Sequence, residues 1–471
     1  MAKSAAIFSL QIGVHNTEGG SLDSNQLPDV ANDPNGAVSF QGMAVTDAII
    51  DAFAFEELSH SQEGMSRATP GQQALAPVAL RNTSGGAKFG VANGDFFRVG
   101  YPDATAATFR MRGANGQTPA NEPWGKWIGS SMGLHGPANS TVKAGFDGAA
   151  DGSTFIVDRT DPEVADLKIG APVRIKKLNS LVHEYAIITD TVDDGVSNVT
   201  VKVFPSFSFQ VTDGYDVTLC YAYFPVIGRG NAANNDFALR FAMGATGSQA
   251  SVQTLSVGNR CTAIEITNDG GATIMTLTAK PLAAVSEDDE AGKTGVVDAT
   301  ESAGAMFQHR YGCRVDISDN TKGASAPVVK SRSYLPNFDH TINIAFETGE
   351  GTPETRGFVR GQTHEVHNAT CTVSIDSEKN SDFQKMLVKD ETRAIFLGFG
   401  PGAANEGGCF AILNAGRDDG ATSPTAGDQN RIQQSTVLRA LENQALCDET
   451  GLTDAEKRLS SAPFMFILPK A

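Results

Sequence analysis

The sequence predicts a mainly β protein, an antiparallel sandwich or barrel with short flanking helices and a small inserted barrel. Three observations carry that expectation. Glycine supplies 49 of 471 residues and charged residues only 19%, against usual shares of ~7% and ~25%, which fits an ordered, turn-rich chain and excludes coiled coil and disorder. Five strand-like runs with turn signals between them crowd into residues 150–224. Twice, a β pattern gives way to one short helical face and then returns.

Along the chain, residues 1–95 are rich in Gly, Asn, Ser and Pro, with short apolar runs at 6–14 and 37–40 and an ambiguous helix-or-strand stretch around Phe53 and Phe55. This is read as an N-terminal arm with first strands. Residues 96–149 open the main fold. The alternation Thr108-Phe109-Arg110-Met111-Arg112 is a half-buried strand, and Glu122-Pro123 is a helix entrance. Trp124, Trp127 and Ile128 follow at i, i+3, i+4 and share one helix face.

Residues 150–224 hold strands at 154–157, 172–177, 184–192, 199–204 and 215–223, which is a small barrel or sandwich. Its glycine- and asparagine-rich flanks, 145–152 and 225–235, read as hinges. Residues 225–471 carry the remainder: a strand at 237–241, a hairpin at 261–279 around Asn268-Asp269-Gly270-Gly271, and a solvated acidic loop at 286–290. A strand at 363–375 then leads to a helix that Ser381 and Gln384 would cap. That helix aligns Phe383, Met386 and Leu387 on one face, and strands return at 394–399 and 409–413. This strand–helix–strand unit echoes the one at 106–133 and suggests a duplicated architecture.

The formal charge of −17 argues against a protein that reads nucleic acid, yet suits one that nucleic acid slides past. No apolar run reaches the roughly 18 residues that cross a bilayer, and the first residues lack the layout of a signal peptide. The six cysteines (220, 261, 313, 371, 409 and 447) form no CxxC. They are expected to be free, mostly buried thiols of a cytoplasmically made chain, and the Asn-x-Ser/Thr sequons are chance matches.

Catalytic motifs are weak. Gly129-Ser130-Ser131-Met132-Gly133 matches GxSxG, but a nucleophile elbow needs a strand before the serine and a helix after it. Here a helical Trp-Gly-Lys-Trp-Ile precedes it and Gly136-Pro137 follows, so a helix terminus is the better reading. Gly292-Lys293-Thr294 has Glu287 where a phosphate loop needs its first glycine. His364 and His367 lie i, i+3 on a strand, on opposite faces, which is not a zinc spacing. Gly398-Phe399-Gly400-Pro401-Gly402 opens no helix and is a loop. The basic pairs Arg110/Arg112 and Arg174/Lys176/Lys177 read as solvated strand faces. No catalytic residue, cofactor or metal is expected.

The segment Thr108–Gly113, Thr118-Pro119, Pro123-Trp124-Gly125-Lys126-Trp127-Ile128 and Ser131-Met132-Gly133 resembles that of major tail tube proteins from long, non-contractile-tailed bacteriophages. The runs 167–175, 199–204 and 213–217 are similar to the small barrel those chains carry, and 261–279 and 369–399 to later parts of the tube fold. The resemblance implies a pair of antiparallel sheets with a short helix, and subunits that join their inner sheets around a lumen and stack axially. The length and the echoed units imply two tube folds per chain, hence a ring of three protomers instead of six. Residues 1–95 and 417–450 are the candidate stacking arms.

The expected protein is therefore non-enzymatic: a virion tail component assembled in the bacterial cytoplasm. Its partners would be its own copies, the tape measure, tail terminator and distal tail proteins, and passing genomic DNA that it does not bind specifically, with no membrane. Trp124, Trp127, Ile128, Phe383, Met386 and Leu387 are the candidate packing or inter-subunit faces. The alternatives are another virion part (decoration, adaptor or baseplate protein), a β-rich surface binding module, and an esterase using Ser131 with His135.

Overall fold

The computed structural model describes residues 7–14, 39–40, 43–44, 51–52, 57–61, 66–68, 97–99, 104–110, 118–176, 183–226, 237–243, 252–269, 272–280, 283–288, 314–319, 332–336, 339–348, 352–353, 359–360, 366–378, 383–384, 386, 388, 391–400, 407–418, 425–426, 432–441 and 451–470. Ser381, Leu387, His364, Arg112, Gly292, Cys313 and Cys447 lie outside them. Mainly β architecture is what the described residues form. In chain order the principal elements begin with β1 (Ile7–Val14), β2 (Glu57–Ser61), β3 (Ala104–Arg110), α1 (Pro123–Gly129), β4 (Met132–His135) and β5 (Thr141–Lys143). Next come β6 (Thr154–Asp158), β7 (Pro172–Lys176), β8 (His183–Asp193), β9 (Asn198–Phe204) and β10 (Asp216–Pro225). Then follow β11 (Phe237–Met243), β12 (Val252–Asp269), β13 (Ala272–Lys280), β14 (Ala283–Asp288), β15 (Arg314–Asp319) and β16 (Arg332–Pro336). The last are β17 (Asp339–Thr348), β18 (Val366–Glu378), β19 (Arg393–Phe399), β20 (Gly408–Arg417), β21 (Ile432–Ala440), α2 (Asp454–Ser460) and β22 (Phe464–Pro469).

The small barrel forms from the strands the alternation predicts. Antiparallel pairing runs β5–β10–β7–β8–β9–β6, with Val157 opposite Val199 and Ile187 opposite Phe204. A bridge between Phe146 and Ile156 brings the chain after β5 back to β6. The inward residues Phe155, Val173, Val201 and Val217 are fully buried. The flanking stretch 145–152 is packed turn and not a hinge: Gly145 and Gly148 donate backbone hydrogen bonds to Ile156 and Val211. On the other side, β10 leaves the barrel without a break and continues into the large sheet, pairing through Cys220–Tyr223 with β22 and through Ala222–Pro225 with β4.

The large sheet folds into two limbs. The first limb runs β2–β3–β13–β12–β17–β18–β21. The second runs β16–β15–β19–β20–β22–β10–β4, and residues 415–417 of β20 join it to residues 438–440 of β21. A wing of β1, β11, the first half of β12 and β14 extends the sheet. Inward residues of both limbs, among them Ile264, Leu277, Ile344, Val373, Ile395, Phe410 and Phe466, form one continuous core.

The limbs differ in how they are covered. In the first, burial alternates: Ile264 and Ile266 are buried and Glu265 between them is exposed. In the second, β19 is buried at every position and β20 at its first eight. The reason is a second core on its far face. Phe396, Ala411, Met465 and Ile467 point away from the shared core and pack with the barrel residues Val173, Ile187 and Leu219.

Several expectations change here. Residues 7–14 and 57–61 are strands within the sheet, in keeping with first strands in that segment, and 432–440, within the candidate stacking arm 417–450, is a sheet strand as well. The acidic stretch expected as a loop is a strand through Asp288, paired with β12. Arg174, expected on a solvated face, is 1% exposed, because β7 is flanked by β8 and β10 and its strand is covered through four of five positions.

A polar clamp ties the chain end to the barrel entrance. The Asp166 carboxylate accepts hydrogen bonds from the Ala138 and Asn139 backbone N–H groups and from the Asn139 amide. Burial works against its ionisation, but these bonds and Lys470 outweigh it and hold the carboxyl below the usual range. Lys470 Nζ donates to the carbonyls of Pro137 and Ala138. Beside it, burial and then the Lys168 charge push the His135 imidazole down to about 4, against Asp166 and Glu456.

Two predictions follow from this packing. Trp127, fully buried against Phe237, should lose about 3–5 kcal/mol on Trp127→Ala, read by urea denaturation, whereas Val196→Ala at an 84% exposed site should be near neutral. Because the folded His135 takes its proton only near pH 4 and the unfolded one near ~6.5, the unfolded state binds more protons between those values. Stability should therefore fall as pH drops through that window, by on the order of 2 kcal/mol from this group. His135→Gln should flatten the difference between denaturation curves taken at about pH 7 and about pH 4.5.

Candidate functional site

The helix that carried the strongest sequence signal is a core element. Pro123 occupies the first turn of α1 after an extended Glu122, where its missing N–H costs nothing. Trp124 meets Tyr223 and Phe466 edge-on, with ring centroids 6.2 and 6.3 Å away. Trp127 and Ile128 are buried beneath the wing and the first limb. Gly125 is required by contact: a Cβ there would lie 1.8 Å from the Pro119 carbonyl oxygen. Phe383 and Met386 are likewise buried in the shared core, and the Arg417 guanidinium donates to the Phe383 carbonyl. The five described residues of the two helical faces thus pack inside one chain and present no inter-subunit surface, while Leu387 lies outside the described residues.

The GxSxG segment fastens α1 to β12. Ser130 Oγ accepts from the Cys261 N–H at 2.9 Å, and Ser131 Oγ donates to the Cys261 carbonyl at 2.6 Å. Both serines are fully buried, and Cys261 sits at a β-bulge opposite β13, where the ladder leaves backbone groups to be satisfied otherwise. The segment after Ser131 is β4, not a helix, so no nucleophile elbow forms. Burial also raises the thiols of Cys261 and Cys371, and that of Cys220 to about 12. These cysteines and Cys409 are free and buried, inert groups rather than nucleophiles. Among the described residues no three His, Cys, Asp or Glu side chains are grouped to hold a metal. No described helix is long and apolar enough to cross a membrane.

What remains for function is surface, and the first limb supplies its most regular part. Across its outer face, strand register aligns Thr108, Thr276, Glu265, Asn343, Thr372 and Arg439 in one row, with Glu57 opposite Thr108 in the register of β2. The adjacent row is Ser59, Ala106, Thr278, Ala263, Ala345 and Thr370. Thr108 and Thr276 share a hydroxyl–hydroxyl hydrogen bond of 2.9 Å, the kind of cross-strand pair that stiffens a sheet face. The face is small and polar, carries Glu265 at its centre, and has Arg439 as the one cation of the first row.

One border is a single strand: among the described residues β2 pairs only with β3. At the other border β21 pairs with β18, with residues 425–426 through Ile432 and Gln433 and with β20 through 438–440, and the Val437 carbonyl accepts from the Asp418 N–H. Sequence reasoning found the β12–β13 hairpin that contributes Glu265 and Thr276, but it missed the row, because the register between strands far apart in sequence leaves no local signal.

No family model matches the chain, and no curated protein is significantly similar to it.

If Ser131 is a structural tie, Ser131→Ala should cost about 1–3 kcal/mol for the buried Cys261 carbonyl it leaves unpaired. A fluorophosphonate probe should label neither form, and labelling of the wild type alone would reinstate the esterase reading.

Proposed function

We propose that this chain is the major tail tube subunit of a long, non-contractile-tailed bacteriophage, a structural protein that oligomerises into stacked rings and lines the conduit for DNA ejection. The observation that carries the reading is the first limb. One face of it is sealed on the core; the other is a broad polar surface that ends at β2, which pairs only with β3 among the described residues. An exposed sheet edge templates pairing with another chain, and closure into a ring removes the hazard. The small, hydroxyl-rich rows with Glu265 at their centre suit an inner wall, since Thr108, Thr276, Glu265, Asn343 and Thr372 offer phosphates no cation to hold.

The composition of that limb also favours two tube units per chain. β2, β3, β13 and β12 come from the first part of the chain, β17, β18 and β21 from the second, and the two groups meet where Ala263–Ile266 pairs with Ile342–Ala345. Three such protomers would make a ring with pseudo-sixfold symmetry. Tape measure, terminator and distal tail proteins would be its axial neighbours in the virion tail, and genomic DNA would pass through without specific contact. No catalytic step, metal or cofactor enters this role.

Negative-stain electron microscopy with mass photometry tests the reading. Hollow tubes or rings whose mass is three protomers are expected. A strict monomer at every concentration, in the presence of tail-tip complexes as template, would overturn it.

A further inference from the structure

We propose that a groove between the border of the first limb and α2 receives an acidic segment from a second copy of this chain. The inference rests on the self-assembly reading above and names one of its contacts. The groove encloses about 530 Å³, within the range of ~300–1,000 Å³ usual for binding clefts. Its apolar lining includes Val226, Ala369, Leu441 and Pro463, and its polar groups include Asn368 and Ser461.

Two arginines converge on it. Arg439 ends the polar row on β21, and Arg458 lies in the last turn of α2. Neither guanidinium has a hydrogen bond or an ion pair among the described residues, whereas Arg393, Arg159 and Lys202 all have carboxylate partners. Two unpaired guanidiniums over an apolar floor, in a chain of net charge −17, form a fork suited to carboxylates. Leu441 adds a 38% exposed apolar side chain at the rim.

Charge complementarity selects the occupant. Residues 287–290, Glu-Asp-Asp-Glu, are the one run of four consecutive acidic residues in the sequence. The run begins at the end of β14, which pairs only with β12 among the described residues and so stands at the border of the wing. Such a run carries a like-charge cost in the isolated chain that a cationic groove on a neighbour removes. Pairing a groove with a run on a different part of the molecule is a head-to-tail contact, which generates rings or stacks instead of closed dimers.

The test uses the full-length protein and a fluorescein-labelled synthetic peptide of residues 283–292. Fluorescence anisotropy should show the peptide binding wild type, at least tenfold more weakly to Arg439→Glu/Arg458→Glu, and several-fold more weakly in 0.5 M salt because exposed charge pairs are screened. The Arg439→Gln/Arg458→Gln form, which adds no repulsion, should lose binding too. Circular dichroism on each variant checks that it is folded.

In assembly assays the doubly reversed variant should fail to form rings. Mixing it with a Glu287→Lys/Asp288→Lys/Asp289→Lys partner should restore contact between the two. Peptide binding that ignores both arginine variants, or no binding at all, overturns the inference. If wild type forms rings and the reversed variant forms them equally well, the groove contact is wrong while the tube reading stands. If the peptide binds through the arginines but no ring ever forms, the tube reading falls and the acidic-segment groove remains.

Discussion

The fold depends on one sheet limb being sealed from both sides. Through Ala394–Phe399 of β19, Cys409–Leu413 of β20 and Phe464–Leu468 of β22 there is no polar side chain on either face, so that Ile395, Phe410 and Phe466 enter one core while Phe396, Ala411 and Ile467 enter the other. Antiparallel sheets usually keep one face wet; here the barrel takes the place of water. A fully buried Phe or Ile side chain is worth roughly 1.5–3 kcal/mol, so these strands hold barrel and sandwich together as a single cooperative body. The shared strand β10 makes the junction covalent as well, and the clamp of Asp166 and Lys470 closes the chain end over it.

That arrangement decides what is left for other molecules. The strands β19, β20 and β22 are covered on both faces, and the helix α1 is consumed in filling the shared core. Among the described residues the outer face of the first limb stays exposed, its polar rows following from strict alternation over a one-sided core, and β2 lies at its border. Barrel docking on one limb thus leaves the other limb with one face outward.

Much of this was legible in the sequence, and the reason is local. The five barrel strands and α1 announce themselves through alternation, Asp-Gly turns and the Glu-Pro entrance, because those signals act within a few residues. The β12–β13 hairpin is legible on the same grounds. The burial of Arg174 was not, since it depends on strands β8 and β10 and on a second core assembled from residues 394–468. The tie of Ser131 to Cys261 spans 130 residues, and the row from Thr108 to Arg439 depends on the register of non-sequential strands. Nothing local in the sequence tells that two elements bring Arg439 and Arg458 to one groove. The strand at 432–440 is not legible locally, since Gln433-Gln434-Ser435-Thr436 breaks the apolar alternation and its place is set by β18.

Hydrogen exchange with mass spectrometry, comparing dilute protein with assembled material, tests the account most directly. The amides of β19, β20 and β22 should already be the most protected in the dilute chain and change little. Those of residues 57–61 should exchange quickly in dilute protein and become protected on assembly, as a neighbouring chain pairs along the β2 border. Assembled material in which the border strand exchanges as before would contradict it.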